Sequence, residues 1–168
     1  QNDWKDDKFE AGNSKVKIIG SSQVMQRLYK DVAKASSSNF NILINGLSGT
    51  GKSLLAGYIH EIGSNNDKSF YSLKLGSLNE FQQIQIINEA ISVIKLGSDG
   101  IGTFFFDEVS SLTFSSQRQL LKLFELTDIF FVNDNNTKAK PSYISSTSVN
   151  LEEKMLLGNF RQDLYFRI

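Results

Sequence analysis

The sequence predicts an α/β domain with a largely parallel sheet and helices on both of its faces. First, short apolar runs alternate along the chain with longer segments whose apolar residues recur at helical spacing. Second, glycines and clusters of Ser and Asn separate these segments, which is typical of turns between elements. Third, strands that alternate with helices of about ten residues or more favour βαβ units, whose strands are parallel. Ligands of such sheets bind at the carboxyl ends of the strands.

Five short runs are predicted to form the strands. Residues 103–106, Thr-Phe-Phe-Phe, are strongly apolar and are interpreted as core, not as a stacking surface. Residues 129–132 and 143–145 are separated by a polar segment at 133–138 that predicts a turn. The other two predicted strands cover residues 40–45 and 70–75.

Apolar residues at helical spacing predict five helices. The first begins at Ser22, whose hydroxyl can cap it, and ends in the polar residues 36–39. Glycines end three of the others, at Gly63, Gly97 and Gly158. The predicted apolar faces, in chain order, are Val24, Met25, Leu28, Val32 and Ala35; Leu54, Leu55, Tyr58, Ile59 and Ile62; Phe81, Ile84, Ile87, Ile91 and Ile94; Leu120, Leu121 and Phe124; and Leu151, Met155 and Leu156.

Length and composition exclude several classes of protein. The 168 residues suffice for one domain; residues 1–15, charged and aperiodic, are predicted to be a linker before a folded core at 16–168. The 18 basic and 18 acidic residues balance, which argues against direct DNA binding by this segment. The absence of cysteine excludes disulfides and thiolate metal sites and fits the cytoplasm. The longest apolar run is far below the about 18 residues of a membrane span.

The most informative segment is NGLSGTGKS, residues 45–53, which fits the phosphate-binding pattern G-x-x-x-x-G-K-[ST]. Gly46, Gly49 and Gly51 let the backbone curl until its N–H groups point inward and form an anion-binding nest. The helix that follows directs the positive end of its dipole to the same point. The sequence therefore predicts a nucleotide phosphate site at this loop.

Four side chains of the loop complete this predicted site. Lys52 is expected to reach the β- and γ-phosphates, and Ser53 is expected to ligate Mg²⁺. Ser48 and Thr50 lie within the loop and belong to the same predicted site. The alternative, a Gly- and Ser-rich turn with an incidental lysine, is disfavoured because a predicted strand precedes the loop and a predicted helix follows it.

Two acidic residues, Asp107 and Glu108, directly follow the predicted strand at 103–106. An apolar strand that ends in Asp is expected to place a carboxylate beside the Mg²⁺ held by Ser53. The adjacent Glu108 is predicted to orient or deprotonate the attacking water. The alternative is a strand that ends in solvent, but the phosphate loop upstream favours the functional interpretation.

The segment FRQDLYFR, residues 160–167, carries two arginines, Arg161 and Arg167. One interpretation is that they are presented to the γ-phosphate bound by a neighbouring subunit. A solvated amphipathic helix fits the same spacing equally well, so the spacing alone leaves both interpretations open.

Together these segments resemble the AAA+ domain of bacterial sigma-54-dependent transcription activators, also called enhancer-binding proteins. The opening Ile18-Ile19-Gly20-Ser21-Ser22, the loop and the arginine segment are together typical of this family and not of phosphate-loop proteins in general. The resemblance covers residues 16–168. The similar segments, in the family's order, are residues 18–26 (opening), 42–53 (phosphate loop), 103–109 (acidic strand end), 143–151 (sensor strand) and 160–168 (arginine segment).

The resemblance implies a P-loop NTPase (AAA+) core that binds ATP and Mg²⁺ and assembles into a ring, usually a hexamer. In such a ring the nucleotide lies between two subunits, and the segment at residues 18–20 lies against the adenine. The implied contacts are Ile18, Ile19, Gly20, Lys52, Ser53, Asp107 and Glu108 from one subunit, with Arg161 and Arg167 from the next.

The resemblance also implies partners beyond the ring itself. The family acts on RNA polymerase that carries sigma-54, and it binds DNA through a domain outside this chain. A receiver domain of a two-component system, or another sensor domain, is expected before Gln1, and a helix-turn-helix is expected after Ile168.

The sequence departs from the family between the second strand and the acidic strand. Family members carry there a Gly-Ala-Phe-Thr-Gly-Ala loop that touches the sigma factor. Residues 79–102 contain no such sequence, and within them residues 79–96 predict one helix, so the contact with sigma-54 is expected to be missing. The helical lid that follows the arginine segment in the family is also not found in the chain.

Three further departures lie near the predicted nucleotide site. Lys74 stands where the family has an asparagine that bonds the catalytic glutamate, and it is predicted to pair with Glu108 and weaken it as a base. The alternative is that Lys74 points into solvent. Leu47 stands where the family's loop has glutamate, and Ser148 stands where the sensor strand often has asparagine.

Three functional interpretations remain at this stage. In the first, the chain is an ATPase motor that opens sigma-54 promoters. In the second, it is a regulator whose AAA+ core binds ATP to control assembly and DNA-bound activity, with weak or no hydrolysis. In the third, it is an unrelated phosphate-loop module. The arginine motif disfavours the third. The sequence favours the second, since the sigma contact is expected to be missing and Lys74 is expected to weaken Glu108.

Overall fold

The computed structural model describes residues 18–38, 40–96, 101–132 and 140–168. The predicted linker at 1–15, the predicted turn at 133–138 and the glycine predicted to end the third helix, Gly97, lie outside these residues. The elements in chain order are α1 (Gln23–Ser36), β1 (Ile42–Asn45), α2 (Lys52–Ile62), β2 (Ser69–Lys74), α3 (Glu80–Leu96), β3 (Ile101–Asp107), a 3₁₀ turn (Val109–Ser111), α4 (Phe114–Val132), β4 (Ser142–Thr147), α5 (Leu151–Leu156) and α6 (Gln162–Tyr165).

The four strands form one parallel sheet in the order β1-β4-β3-β2. In the register, Phe105 on β3 lies between Ile144 on β4 and Ser72 on β2. Because all four strands run in the same direction, their carboxyl ends share one edge of the sheet. Asn45, at the end of β1, and Asp107, at the end of β3, therefore open onto the same edge.

Helices cover both faces of the sheet, as the alternation predicts. Successive side chains of β3 point to opposite faces, so Phe104 and Phe106 belong to a core cluster with residues of α3 and α4. Phe105 belongs to a second cluster with Val32 of α1 and Ile59 of α2. The three phenylalanines are almost completely buried, and each contributes roughly 1.5–3 kcal/mol through burial of apolar surface. The sequence prediction that they form the core is confirmed.

The caps explain where two helices begin. Ser22 Oγ accepts a hydrogen bond from Met25 N at the start of α1, as predicted. At the start of α3, Asn79 and Gln82 each accept a hydrogen bond at 3.0 Å from the backbone N–H of the other. The helix predicted for residues 79–96 is therefore present as α3, Glu80–Leu96.

The predicted strand at 129–132 is wrong, because these residues form the last turn of α4. β-Branched and aromatic residues favour a strand locally, but the helical stripe of α4 continues through them. Thr127 Oγ1 donates to Leu123 O one turn earlier and also bonds the Tyr143 hydroxyl, and Phe131 packs against the core. Tertiary packing thus overrides the local preference.

Five residues of the predicted apolar faces are exposed, although all of them lie in helices where the sequence predicts them. Val24, Leu54 and Phe81 lie in the first turn of their helices and are 74%, 48% and 75% exposed. Ile62 and Leu156 are the last residues of theirs and are 42% and 77% exposed. The apolar stripe therefore contacts the core in the middle of a helix and not at its ends.

Candidate nucleotide-binding site

The glycine loop between β1 and α2 has the backbone of a phosphate nest. Gly49 and Gly51 have φ values of 79° and 89°, in the left-handed region that costs other residues about 1–2 kcal/mol. Gly51 is the N-cap residue of α2, and no side chain makes a capping hydrogen bond there. The first N–H groups of α2 are therefore available to an anion, and the helix dipole favours one there.

Contacts inside the loop hold its shape. A Cβ on Gly46 would lie 2.9 Å from Thr50 Oγ1, so only glycine fits without a shift. Thr50 Oγ1 donates to Leu47 O at 2.7 Å. Lys52 Nζ donates to Gly46 O at 2.8 Å and to Leu47 O at 3.1 Å. Lys52 thus lies over the loop, while Ser48 is exposed.

The acidic pair lies at the end of β3, where the backbone changes direction. Asp107 is the last residue of the strand, and Glu108 has φ 65° and ψ 59°. Glu108 is the only residue other than glycine with a positive φ among those described. Such a conformation persists where surrounding contacts enforce it, and it is frequent at functional sites.

Two hydrogen-bond donors hold the Glu108 carboxylate. Ser110 Oγ and the Ser148 backbone N–H both donate to Oε1, the latter at 3.0 Å. Partial burial raises the pKa of Glu108, but the hydrogen bonds from Ser110 and Ser148 and the charge of Lys52 lower it below its ordinary value. The ionised form is stabilised, and one carboxylate oxygen is already engaged.

Lys74 is not among the groups that set the pKa of Glu108. It ends β2 directly opposite Asp107 in the register, and its side chain is exposed. The contacts on the Glu108 carboxylate come from Ser110 and Ser148, residues of the 3₁₀ turn and of the segment after β4, and the pairing of Lys74 with Glu108 stays a prediction. Glu108 makes these contacts from a left-handed backbone conformation.

The end of β4 joins the loop to the acidic pair, because β4 lies between β1 and β3. Gly46 N donates to Thr147 O at 3.1 Å, on the side of the loop. On the other side, Ser146 Oγ donates to Asp107 Oδ1 at 2.6 Å and accepts from Glu108 N at 3.0 Å. The sequence predicts the position of this strand but not these roles of Ser146, Thr147 and Ser110. The sequence does contain a signal for these roles on β4, because residues 145–147 of this buried segment all carry hydroxyl groups.

The donor set at this edge fits Mg²⁺. Ser53 lies in the first turn of α2 and Asp107 at the end of β3, so both ligands offered are oxygens. Mg²⁺ in nucleotide sites usually keeps several waters and uses one or two carboxylates with the phosphates, which two protein ligands satisfy. In the described ranges, no group of three or more His, Cys, Asp or Glu side chains is placed to hold a metal.

The segment predicted to lie against the adenine precedes α1. Tyr29 OH donates to Ile18 O at 2.8 Å, and Gly20 packs closely against the Met25 side chain. The Ile19 side chain is exposed. These contacts tie the segment to α1, and they leave the apolar Ile19 side chain accessible to a ligand.

The two predicted arginines lie in different surroundings. Arg161 forms a bidentate pair with Asp163, with Nε and Nη2 at 3.0 Å and 2.6 Å from its carboxylate. The hydrogen bonds that Arg161 donates to Asp163 raise the pKa of Arg161, and the same contacts lower the pKa of Asp163. Arg167 Nη1 lies 2.7 Å from Asp128 Oδ2 on α4. The structure does not bring the two side chains together.

Arg167 is at the opposite edge of the sheet from the glycine loop. Its carbonyl accepts from Asn41 Nδ2, just before β1, and its partner Asp128 also pairs with Lys140, just before β4. Arg167, Asp128 and Lys140 line a cleft of about 280 Å³ at this amino edge, which the glycine loop does not line. Arg167 is thus separated from the loop of its own subunit by the length of β1, about 13 Å at 3.3 Å for each residue.

A parallel sheet with a glycine loop after β1, a lysine and serine opening α2, and an acidic pair after β3 defines the class of P-loop NTPases. Within that class, the chain belongs to the family described as the sigma-54 interaction domain, whose match spans residues 19–168. The resemblance inferred from the sequence is confirmed, and so is the α/β fold.

Similar curated proteins are bacterial regulators. The chain is 31% identical over 163 residues to "Transcriptional regulatory protein ZraR" of Salmonella typhi, covering 90% of this chain and 37% of that protein. It is 31% identical over 172 residues to "Nif-specific regulatory protein" of Azorhizobium caulinodans, covering 94% of this chain and 28% of that protein. The chain therefore spans about a third of the length of such relatives.

Solved structures agree with the fold. NtrX from Brucella abortus in complex with ADP has a TM-score of 0.70 at 25% identity, covering 92% of this chain and 36% of that one. NtrX in complex with ATP has a TM-score of 0.68 at 25% identity, covering 90% and 35%. Among the helices described here, none has the length and hydropathy of a membrane span.

Proposed function

We propose that the chain is the ATP-binding AAA+ core of a cytoplasmic bacterial transcription regulator, in which bound nucleotide controls assembly and DNA-bound activity and is hydrolysed slowly or not at all. The observation that carries this proposal is the engagement of Glu108 by Ser110 and Ser148. A glutamate whose Oε1 is already occupied is a poor acceptor for the proton of an attacking water.

Binding follows from the loop. The N–H groups at the start of α2 receive the phosphates, and Lys52 moves from the carbonyls of Gly46 and Leu47 to the β- and γ-phosphates. Ser53 and Asp107 hold Mg²⁺, which neutralises phosphate charge when bound. Ile18, Ile19 and Gly20 lie against the adenine. The complexes of NtrX with ATP and ADP support nucleotide as the ligand.

The arginines act between subunits of a ring, which is expected to be a hexamer. Arg167 lies at the edge of the sheet opposite its own glycine loop, so a nucleotide of the same subunit is out of its reach. A neighbouring subunit that packs its carboxyl edge against this amino edge brings Arg167 to the γ-phosphate. Arg161, held by Asp163 beyond α5, is the second arginine of this contact.

The regulator acts on RNA polymerase, and it reaches DNA through a domain outside this chain. The core is assigned to residues 16–168 and the linker to 1–15. The helix α3 lies where the family's sigma-contacting loop is expected, so we propose that this core lacks the direct sigma-54 contact. The alternative is an active ATPase motor that remodels sigma-54 RNA polymerase, and membership in the sigma-54 interaction domain family favours it.

ATP binding and phosphate release, measured side by side on the protein at concentrations that allow assembly, test the proposal. The expected result is ATP binding with slow release that Glu108→Gln changes little. Fast release that Glu108→Gln abolishes supports the motor instead. Failure of the wild-type protein to bind ATP rejects both.

A further inference from the structure

Ser146 is a buried hydroxyl at the edge where the predicted site lies. Its exposed fraction is 0%, and it follows Ser145, the β4 residue paired with Phe106 of β3. Beyond this pair the two strands diverge, since β3 turns at Asp107 into the left-handed backbone of Glu108. Ser146 is thus the first β4 residue beyond the ladder with β3, while on its other side it remains paired with Ile44 of β1.

Its hydroxyl makes two contacts of defined direction. A hydroxyl has one proton, and the carboxylate of Asp107 can only accept while the N–H of Glu108 can only donate. The proton therefore points to Asp107 Oδ1, at 2.6 Å, and a lone pair receives Glu108 N, at 3.0 Å. One atom fixes both the carboxylate of Asp107 and the peptide that places Glu108.

These contacts lie between the two halves of the proposed site. The residue after Ser146 binds the glycine loop through Thr147 O and Gly46 N, and Ser148 N binds the Glu108 carboxylate. Ser146 engages Oδ1 of Asp107, so Oδ2 is the oxygen that remains for a cation. Outer hydrogen bonds of this kind orient a ligand and strengthen its binding to a metal.

We propose that Ser146 is a positioning residue, which sets Asp107 for Mg²⁺ and fixes the backbone of Glu108 beside it. This inference rests on the proposed nucleotide site and names a residue that controls its divalent cation. Ser146 touches neither nucleotide nor metal, and it acts through Asp107.

The measurement is the dissociation constant of ATP in excess Mg²⁺ and in EDTA, for the wild type and Ser146→Ala. The expected result is a loss of about 10- to 100-fold in the Mg²⁺-dependent gain in affinity, with affinity in EDTA unchanged. The matched control is Ser145→Ala, since Ser145 is 2% exposed on the same strand and points to the opposite face. It is expected to keep the wild-type ratio of the two constants.

A second pair of variants separates positioning from folding. Asp107→Asn is expected to lose the Mg²⁺-dependent gain, and Ser146→Ala in that background to add nothing, because both changes act through one ligand. Ser146→Cys keeps a side chain of similar shape with a weaker donor, and an intermediate loss is expected. Thermal unfolding of each variant accompanies the titrations, and Ser146→Cys replaces Ser146→Ala if the latter does not fold.

Each other outcome overturns the inference. The positioning role is rejected if Ser146→Ala keeps the wild-type ratio of the two dissociation constants, or if Ser145→Ala loses as much of the Mg²⁺-dependent gain in affinity. Nucleotide binding stands in both cases. A further loss when Ser146→Ala is added to Asp107→Asn rejects action through Asp107. A wild-type protein whose ATP affinity is the same in Mg²⁺ and EDTA rejects the inference alone, and one that binds no ATP rejects the proposed function with it.

Discussion

The two edges of the sheet are held by different kinds of interaction. At the carboxyl edge, buried hydroxyls and backbone groups connect the glycine loop, Asp107 and Glu108 through Ser146 and Thr147. At the amino edge, Arg167 is held by an ion pair whose partners are both more than a third exposed. Exposed ion pairs contribute about 0–1 kcal/mol and weaken with salt, whereas unsatisfied buried groups cost about 1–3 kcal/mol.

This difference fits the two tasks that we propose for these edges. A site that orients a nucleotide and a cation needs fixed donors, because small misplacements weaken charge-assisted contacts. An arginine that serves a neighbouring subunit must exchange one carboxylate for a phosphate, which a weak and exposed pair with Asp128 permits. Four predictions, from the largest expected effect to the smallest, test whether the two edges differ in this way.

Lys52→Ala is expected to have the largest effect at the carboxyl edge. Removing a charged donor to phosphate costs about 3 kcal/mol, so the dissociation constant of ATP is expected to rise roughly 100-fold. Isothermal titration of ATP measures it, with Lys95→Ala, an exposed lysine in the last turn of α3, as a control expected to bind like the wild type. Equal affinities of wild type and Lys52→Ala contradict the nucleotide site.

Gly51→Ala tests whether the loop backbone is as constrained as its φ of 89° indicates. Nothing lies within 4 Å of the added Cβ, so the expected destabilisation of about 1–2 kcal/mol comes from backbone strain alone. The matched control is Gly57→Ala inside α2, where the space is equally open and the helix should gain about 0.5–1 kcal/mol. Denaturant unfolding of both variants gives the comparison, and changes of the same sign oppose it.

Ser110→Ala tests the engagement of Glu108. Removing the hydroxyl frees part of Oε1 and removes one of the contacts that lower the pKa of Glu108, so this pKa is expected to rise. Phosphate release is expected to rise several-fold, corresponding to about 1 kcal/mol in the barrier. Ser111→Ala serves as the control, since its hydroxyl bonds the Glu108 carbonyl and not the carboxylate. If Ser110→Ala releases phosphate more slowly than the Ser111→Ala control, the hydrogen bond from Ser110 does not restrain Glu108.

Asp128→Asn is expected to have the smallest effect, less than about 1 kcal/mol in the free energy of unfolding. Partial burial raises the pKa of Asp128, but hydrogen bonds and charges from Lys140 and Arg167 outweigh this effect. They lower the pKa of Asp128 below its ordinary value. The stabilisation that ionised Asp128 gives the folded state is therefore complete above the ordinary pKa of aspartate. It is lost as the pH falls through the lowered pKa of Asp128. Unfolding at several pH values and salt concentrations measures it.

The variant should show a flatter pH dependence than the wild type below about pH 4, and a smaller response to salt. A large loss at neutral pH that salt does not reduce would make the amino edge as rigid as the carboxyl edge. That result would contradict the proposed difference between the carboxyl and amino edges of the sheet.

The sequence by itself determined the elements whose signals are local. The spacing in NGLSGTGKS requires glycines with left-handed backbones before a helix, and the apolar run before Asp107 and Glu108 requires a buried strand. The order of these segments was also sufficient to identify the family. Such signals need no knowledge of the pairing of strands, because each depends on neighbours within a few residues.

The tertiary structure alone decided the features that depend on distant partners. It continued α4 through residues 129–132, where the local composition favours a strand, because Thr127 and Phe131 pack on the core. It inserted β4 between β1 and β3, which brought Ser146 to Asp107 and Ser148 to Glu108 across about 40 positions of sequence. It also placed Arg167 at the far edge. Strand order is set by non-local burial and pairing, and no local pattern in this chain specifies it.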